Sequence, residues 1–352
     1  MRTYFIKTYG CQMNIYDSGK LAEVLAGQGY QEANDIRGSD IILVNTCCVR
    51  ENAENRAFGF ISSLKNFKKQ NPGLKIGICG CIVKEEHIDL KNKFPFIDWF
   101  IPPNSPDKLI EHLNSSFIIR NSSLGWRRGG EVVIMHGCNN FCSYCVVPYV
   151  RGREVSRPMD EVLEEIGQLI EQGAKKIMLL GQNVNSYKYG LADLLSKIGS
   201  CGLEVQRSNV QISFMTSHPR DISDELIQTV YELPYVAKEF HLPLQSGDNE
   251  VLKMMNRGYT VEYYREIIRR IRALMPQAGI TTDLIVGFPG ETEEQFQNTL
   301  AAVKEIRFNA VNMAAYSLRP QTAAARLPRH LSEEEKHKRL QSLIEVVRKV
   351  VI

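Results

Sequence analysis

The run Ile41-Ile42-Leu43-Val44 is apolar at four successive positions. A strand of that kind has both faces buried, as in a parallel sheet covered by helices on each side. The surrounding residues repeat the same grammar. Tyr4-Phe5-Ile6 reads as a strand, followed by a helix from about Asp17 to Gln28. A polar helix pattern runs from Glu51 to Lys69 and breaks at Asn71-Pro72-Gly73. Leu74–Cys79 is the next strand, Lys84–Lys91 a helix, and Ile97–Ile101 a short last strand. Alternating β and α elements predict an open parallel α/β sheet over residues 1–113.

From Glu131 the alternation resumes in six units. Strands fall near 131–136, 176–180, 210–214, 238–242, 280–286 and 311–315. Helices fall near 159–172, 191–199, 222–231, 261–275, 292–305 and 332–349. Six units, lacking the pair that closes an eightfold ring, imply a partial (βα) barrel with its site at the strand C-terminal face. Residues 114–130 are polar and aperiodic, a linker. Since 352 residues exceed one ordinary core, the expected domains are 1–113 and 131–352.

Hydrophobic content of 43% and charged content of 24% are those of a soluble globular protein. No run approaches the roughly 18 apolar residues a membrane helix needs. The N-terminus enters a strand pattern at once, with no signal peptide, so the expected location is cytoplasmic without a membrane partner. Asn114-Ser115-Ser116 and Asn121-Ser122-Ser123 then read as polar linker rather than glycosylation sites. Nine cysteines in such a chain point to metal binding or catalysis rather than disulfides. A net charge of +3 permits an RNA partner without demanding one.

The cysteines fall into two sets. Cys138, Cys142 and Cys145 share one short loop, spaced C-x3-C-x2-C. A structural zinc site closes with four ligands, which here would be a knuckle completed by His136. Three thiolates on a cubane iron–sulfur cluster instead leave one iron open. S-adenosylmethionine suits that iron, because its amino and carboxylate groups can chelate one metal. Cys11, Cys47 and Cys81 each follow a strand of the first sheet. Strand C-termini of an open parallel sheet share one edge, so these three should converge as a second thiolate site. Gly10 and Gly80 would let the backbone approach a bulky cluster. Cys48, Cys79 and Cys201 read as small apolar residues.

Other candidates follow the later strands. The second ends in Leu180-Gly181-Gln182, the fourth leads into Gln245-Ser246-Gly247, and the fifth runs into Gly287-Phe288-Pro289-Gly290. Glycines there allow a ligand to approach closely, though ordinary strand-to-helix turns have the same composition. Arg151, Arg153 and Arg157 read as phosphate contacts or as a solvated charged loop. The last helix opens with a Ser332/Glu335 capping box. It ends on Val350-Val351-Ile352, an apolar finish unusual for a free C-terminus, which reads as a truncation or a missing further domain.

Taken together, these motifs resemble the methylthiotransferase family of radical S-adenosylmethionine enzymes over nearly the whole chain. The N-terminal likeness lies in Thr8-Tyr9-Gly10-Cys11-Gln12-Met13-Asn14, Asn45-Thr46-Cys47, Val49-Arg50-Glu51 and Gly80-Cys81. The radical-domain likeness lies in Gly137-Cys138-Asn139-Asn140-Phe141-Cys142, Val146-Val147-Pro148-Tyr149 and Arg151-Gly152-Arg153-Glu154. It continues through Gly181-Gln182-Asn183-Val184-Asn185 and His241-Leu242-Pro243-Leu244-Gln245-Ser246-Gly247. The Tyr-Gly-Cys-Gln-Met-Asn form is most similar to the branch acting on N6-dimethylallyladenosine in tRNA. Other branches act on threonylcarbamoyladenosine or on an aspartate of a ribosomal protein.

The resemblance implies two [4Fe-4S] clusters, one on Cys138, Cys142 and Cys145 and an auxiliary one on Cys11, Cys47 and Cys81. It implies that Tyr144 lies against the adenine of S-adenosylmethionine, with Gln182, Gln245 and Gly287 as further cofactor contacts and Arg151 and Arg153 toward RNA. It implies methylthio insertion at C2 of the modified adenosine beside the anticodon. One S-adenosylmethionine would methylate a cluster sulfur and a second would be cleaved to a 5′-deoxyadenosyl radical. A flavodoxin- or ferredoxin-like electron donor and a sulfur donor would be partners. The sequence departs from the family pattern in three places. Gly80-Cys81-Ile82-Val83-Lys84 replaces Gly-Cys-Met-Ala-Gln, and Gln321 stands where Gly is common. The chain also stops before the usual small β-barrel RNA-binding (TRAM) domain. The opposing reading is a non-catalytic, metal-stabilised RNA-binding module.

Overall fold

The computed structural model describes residues 1–48, 51–83, 88–113, 130–200, 205 and 209–351. Cys201, most of the predicted linker and the start of the predicted helix 84–91 lie outside them. Five strands form the first sheet: β1 (Thr3–Thr8), β2 (Gln31–Glu32), β3 (Ile41–Thr46), β4 (Lys75–Gly80) and β5 (Trp99–Ile101). All run parallel, in the order β2-β1-β3-β4-β5. Every residue of β3 is buried, as its apolar run requires. Ile41 and Leu43 point to one face and meet Leu21, Leu25 and Leu109 from the helices Gln12–Gly27 and Pro106–His112. Ile42 and Val44 point to the other and meet Ile61, Leu64 and Leu90 from the helices Glu51–Gln70 and Ile88–Lys93.

The second half contains β6 (Glu131–Val133), β7 (Met135–His136), β8 (Val155–Ser156), β9 (Lys176–Leu180), β10 (Gln211–Met215), β11 (Glu239–His241), β12 (Gly279–Val286) and β13 (Ala310–Ala315). Two parallel triplets, β6-β9-β10 and β11-β12-β13, are joined by the bridge between Ile212 and Val236. The result is an open arc of six parallel strands, the partial barrel expected. The first expected strand, 131–136, is broken in two. Its second half turns away as β7 and pairs antiparallel with β8.

Alternation along the arc divides its faces. Val132, Leu179, Ile212, Phe240 and Leu284 point outward into the main core beneath the helices. The concave face is more polar and carries half-buried Ser213, His241, Thr281 and Asp283. Toward β6 that face is covered from above. Met13 and Tyr16 of the first helix pack on Val133, Met178, Leu180 and Met215. Two ion pairs also join the N-terminal sheet to the arc: Asp17–Arg151 at 2.8 Å and Glu54–Arg319 at 2.6 Å. Gln321, close to the second pair, has φ of 75°. That left-handed backbone is where a glycine fits without strain.

Three short helices went unpredicted: Pro106–His112, Val147–Arg151 and Asn249–Met254. They are too short to establish a helical period in sequence. Gly80 closes β4 with φ of 87°. A Cβ there would collide with the Asn45 side-chain oxygen and stand 2.6 Å from the Thr46 carbonyl. Its close approach is therefore to the neighbouring strand β3. Gly80→Ala is expected to lower the unfolding free energy of the cluster-free protein by about 1–3 kcal/mol in a urea titration.

Candidate metal and cofactor site

Cys11 stands immediately before the helix Gln12–Gly27, beyond β1. Cys47 and Cys81 stand immediately beyond β3 and β4. These three strands are neighbours in the sheet, so the cysteines flank one another along its carboxyl edge. Asn14 ties the edge together. Its amide donates to Asn45 Oδ1 at 3.0 Å and to the Thr46 carbonyl at 2.8 Å, while the Cys11 thiol donates to Asn14 Oδ1 at 3.3 Å. The Cys81 backbone N–H donates to the Thr46 carbonyl at 3.0 Å. Cys48 is more than an apolar filler, because its thiol acts on the ionisation of Cys81. The neighbouring Cys48 thiol, assisted by the Arg151 charge and opposed by burial, pushes the Cys81 thiol down to about 7. Cys79 does behave as an apolar residue. It is buried in the sheet, and burial raises its thiol pKa.

The second triplet is held by segments distant in sequence. Ser143 N–H donates to the Met255 carbonyl at 3.0 Å, and its hydroxyl to the Met254 carbonyl at 2.7 Å. Asn256 donates to the Phe141 carbonyl at 3.1 Å. The Ala324 N–H donates to the Ser143 carbonyl at 2.7 Å. Within the loop, Phe141 adopts φ of 46° and Cys145 N–H closes a turn on the Cys142 carbonyl at 2.9 Å. Burial raises the Cys138 thiol and pushes Cys145 up to about 12.

Arg257 is the residue that sequence reasoning missed here. It is 4% exposed and donates from Nη1 to Cys142 Sγ at 3.2 Å. Its remaining donors go to the Pro243 carbonyl at 2.9 Å and the Tyr259 hydroxyl at 3.0 Å. No carboxylate is among the partners described for it, and a buried cation needs a countercharge. A thiolate-bound, anionic cluster at Cys142 would supply one. The run Met254-Met255-Asn256-Arg257-Gly258 was the available signal, but nothing in its spacing shows that it folds back onto the cysteine loop.

The polar groups at the barrel mouth are consistent with a bound cofactor. Gln182 Oε1, Ser217 Oγ, His218 Nε2 and Gln245 Oε1 are buried and lack partners among the described residues. All four follow strands β9, β10 or β11. Buried polar atoms are otherwise almost always hydrogen-bonded, so this set has room for a polar ligand. Gln245 also holds φ of 71°, a strained conformation for a non-glycine. Tyr144 packs with Val251, Phe288 and Tyr316, and its hydroxyl accepts from Arg257 at 3.4 Å. Gly287 has a different reason to be glycine. The space its side chain would fill is taken by Lys336 of the last helix, and its N–H donates to Glu291 at 2.6 Å.

The arginines separate. Arg151 is turned inward onto Asp17, Asn104 and Cys81. Arg157 is likewise engaged, with the Val133 carbonyl and Glu165. Arg153 is exposed and lies 4.3 Å over the Phe141 ring. His136 faces a cavity of about 280 Å³ between the two sheets, with Asp17, Cys79 and Arg157 also in its wall. Burial, helped by Arg151 and Arg157, pushes its pKa down to about 4. Among the described residues no three Cys, His, Asp or Glu side chains stand close enough to ligate a single ion.

Residues 132–303 match the Radical SAM superfamily, and residues 3–102 match Uncharacterized protein family UPF0004. The chain is 44% identical to the tRNA-2-methylthio-N(6)-dimethylallyladenosine synthase of Thermoanaerobacter pseudethanolicus, over 99% of this chain and 78% of that protein. It is 43% identical to the synthase of the same name from Pelotomaculum thermopropionicum, over 99% and 83%. The chain belongs to the tRNA-2-methylthio-N(6)-dimethylallyladenosine synthase family. The fold of this synthase-family chain is shared more widely. A radical S-adenosylmethionine methyltransferase, TsrM, from Kitasatospora setae, solved with cobalamin and a [4Fe-4S] cluster bound, aligns with a TM-score of 0.67 at 16% identity, covering 92% of this chain and 77% of that one. OxsB, a cobalamin-dependent S-adenosylmethionine radical enzyme, aligns at 0.60 and 13%, covering 99% and 56%.

In this synthase-family chain His218 offers a direct electrical test of the mouth. Burial first, then Arg257 and Arg220, pushes its pKa down to about 2 from 6.5. Its Nδ1 accepts from the Arg220 N–H at 3.3 Å, which a proton there would displace. Below pH 6.5 the unfolded chain binds a proton that the folded imidazole refuses, so stability falls as pH falls. Chemical denaturation of the cluster-free protein from pH 6.5 downward should show this loss. His218→Gln should flatten the slope by up to about 1.4 kcal/mol per pH unit.

Proposed function

We propose that this chain inserts a methylthio group at C2 of N6-dimethylallyladenosine in tRNA, with residues 1–113 and 131–352 as separate domains. In this reading Cys138, Cys142 and Cys145 hold the [4Fe-4S] cluster that binds S-adenosylmethionine, and Cys11, Cys47 and Cys81 hold the auxiliary cluster. The observation that carries it is 44% identity over 99% of this chain, combined with two cysteine triplets, one along the carboxyl edge of the N-terminal parallel sheet and one in the loop that follows β7. When bound, the clusters and S-adenosylmethionine supply the 5′-deoxyadenosyl radical and the methylated sulfur. An aromatic C–H has no acidic proton for a side-chain base, which is why the cofactor carries that step.

The protein's own residues place and shelter the reactants. Arg257 balances the charge of the Cys142 thiolate. Gln182, Ser217, His218 and Gln245 offer their unpartnered polar atoms to the adenosyl and amino-acid parts of the cofactor, and Tyr144 supplies an aromatic wall. His241, held by Thr281 at 2.9 Å and by Asp283 at 3.4 Å, presents a polar concave face to a base taken out of its stack. Met13 and Tyr16 keep water from the far side of that face. Arg153, exposed at the rim, contacts RNA phosphate. Among the described residues no helix is long and apolar enough to cross a membrane. We infer a cytoplasmic enzyme served by a flavodoxin- or ferredoxin-like reductant and a separate sulfur donor.

The two triplets should be separable. Cys142→Ala is expected to abolish reductive cleavage of S-adenosylmethionine and to keep about half the iron. Cys47→Ala should spare cleavage and stop sulfur insertion. Iron content and 5′-deoxyadenosine formed by each purified variant read the separation, and mass spectrometry of tRNA nucleosides from a deletion strain carrying each variant reads sulfur insertion. Wild type should restore the 2-methylthio-dimethylallyl nucleoside. Restoration of a threonylcarbamoyl product instead would assign the chain to another branch.

A further inference from the structure

Arg151 ends the short helix Val147–Arg151 that leads out of the Cys138–Cys145 loop. Its side chain is 3% exposed. Each nitrogen reaches a different segment of the N-terminal sheet. Nε donates to Cys81 Sγ at 3.2 Å, Nη1 to Asn104 Oδ1 at 2.8 Å, and Nη2 to Asp17 Oδ2 at 2.8 Å. Those partners sit beyond β4, beyond β5 and on the first helix. A planar guanidinium fixes three directions at once, whereas an ammonium does not. One side chain therefore joins the backbone that carries the second triplet to a sulfur of the first.

We propose that Arg151 is a positioning residue, holding the Cys11/Cys47/Cys81 triplet in register with the Cys138–Cys145 loop and setting the reduction potential of the cluster that Cys81 ligates. This rests on the ligand assignment under Proposed function. Hydrogen bonds to cluster sulfurs and local net charge both set such potentials. A buried cation beside a sulfur favours the reduced, more negative cluster. Arg151 supplies the charge and the bond together, and Asp17 partly offsets the charge.

The test is an EPR-monitored redox titration of the anaerobically reconstituted full chain. It is combined with the ratio of methylthio product to S-adenosylmethionine cleaved. Arg151→Met should shift the auxiliary potential negative, leave the radical-cluster potential in place, and lower the product ratio at least tenfold. Arg151→Lys keeps the charge and should recover most of the potential, but not the ratio, because it cannot span three partners. Asp17→Asn keeps the contact to Cys81 and should shift the auxiliary potential positive, which tests the charge even where Arg151→Met fails to take up its cluster. An unchanged auxiliary potential and ratio in Arg151→Met would overturn the proposal. So would equal shifts in both clusters. Cys81→Ala separates the two claims. If it loses the auxiliary iron while Arg151→Met changes nothing, the arginine role alone fails. If it keeps all the iron, the ligand assignment fails and takes the arginine role with it.

Discussion

Met13 and Tyr16 lying on Val133, Met178, Leu180 and Met215 is the contact on which the rest of the molecule depends. It sets the first helix, which starts just after Cys11, against the ends of β6 and β9. The carboxyl edge of one parallel sheet is thereby brought to the mouth of the other. Parallel sheets gather ligands at that edge because all their strands end there. Here the edge that carries Cys11, Cys47 and Cys81 meets the barrel mouth, and the loop after β7 carries the other three cysteines. The ion pairs Asp17–Arg151 and Glu54–Arg319 hold the junction from either side. Removing one partner of a buried pair leaves an uncompensated charge, costing about 3–5 kcal/mol. The junction is thus fixed in register as well as closed.

Charge at the two triplets follows one pattern. Each has a buried guanidinium donating to one sulfur at 3.2 Å: Arg151 to Cys81, and Arg257 to Cys142. Two ionisable groups at the mouth are kept neutral. Burial holds the Tyr144 phenol protonated and His218 unprotonated. The mouth therefore presents cations to the thiolates and uncharged acceptors to whatever binds above them. That is a setting in which an anionic cluster and a cationic sulfonium can both be accommodated, with the Asp17 carboxylate paired to Arg151.

Much of this architecture was legible in the sequence. Four apolar residues at Ile41–Val44 require a sheet buried on both faces, and the cysteines after successive strands require a shared edge. Six strand–helix units required the open arc. What escaped depends on side-chain direction. Arg151 and Arg153 are two residues apart in one basic loop, yet one is buried among Asp17, Asn104 and Cys81 and the other lies exposed over Phe141. Gly287 looked like ligand space, but Lys336 comes from a distant helix to fill it. Cys48 looked redundant beside Cys47, but its thiol influences the ionisation of Cys81. Arg257 reaches Cys142 across a sequence separation of 115, which no local pattern encodes. The short helices Val147–Arg151 and Asn249–Met254 are set by the segments they bridge rather than by their own periodicity.

The central claim is that both thiolate triplets carry clusters and face one another across this junction. Low-temperature EPR of the fully reduced chain tests it most directly, because two nearby paramagnetic clusters couple magnetically. The account predicts a broadened, coupled spectrum from the wild type that collapses to the signal of one isolated cluster in Cys47→Ala. A wild-type spectrum that is the plain sum of two uncoupled clusters, or that shows only one, would contradict it.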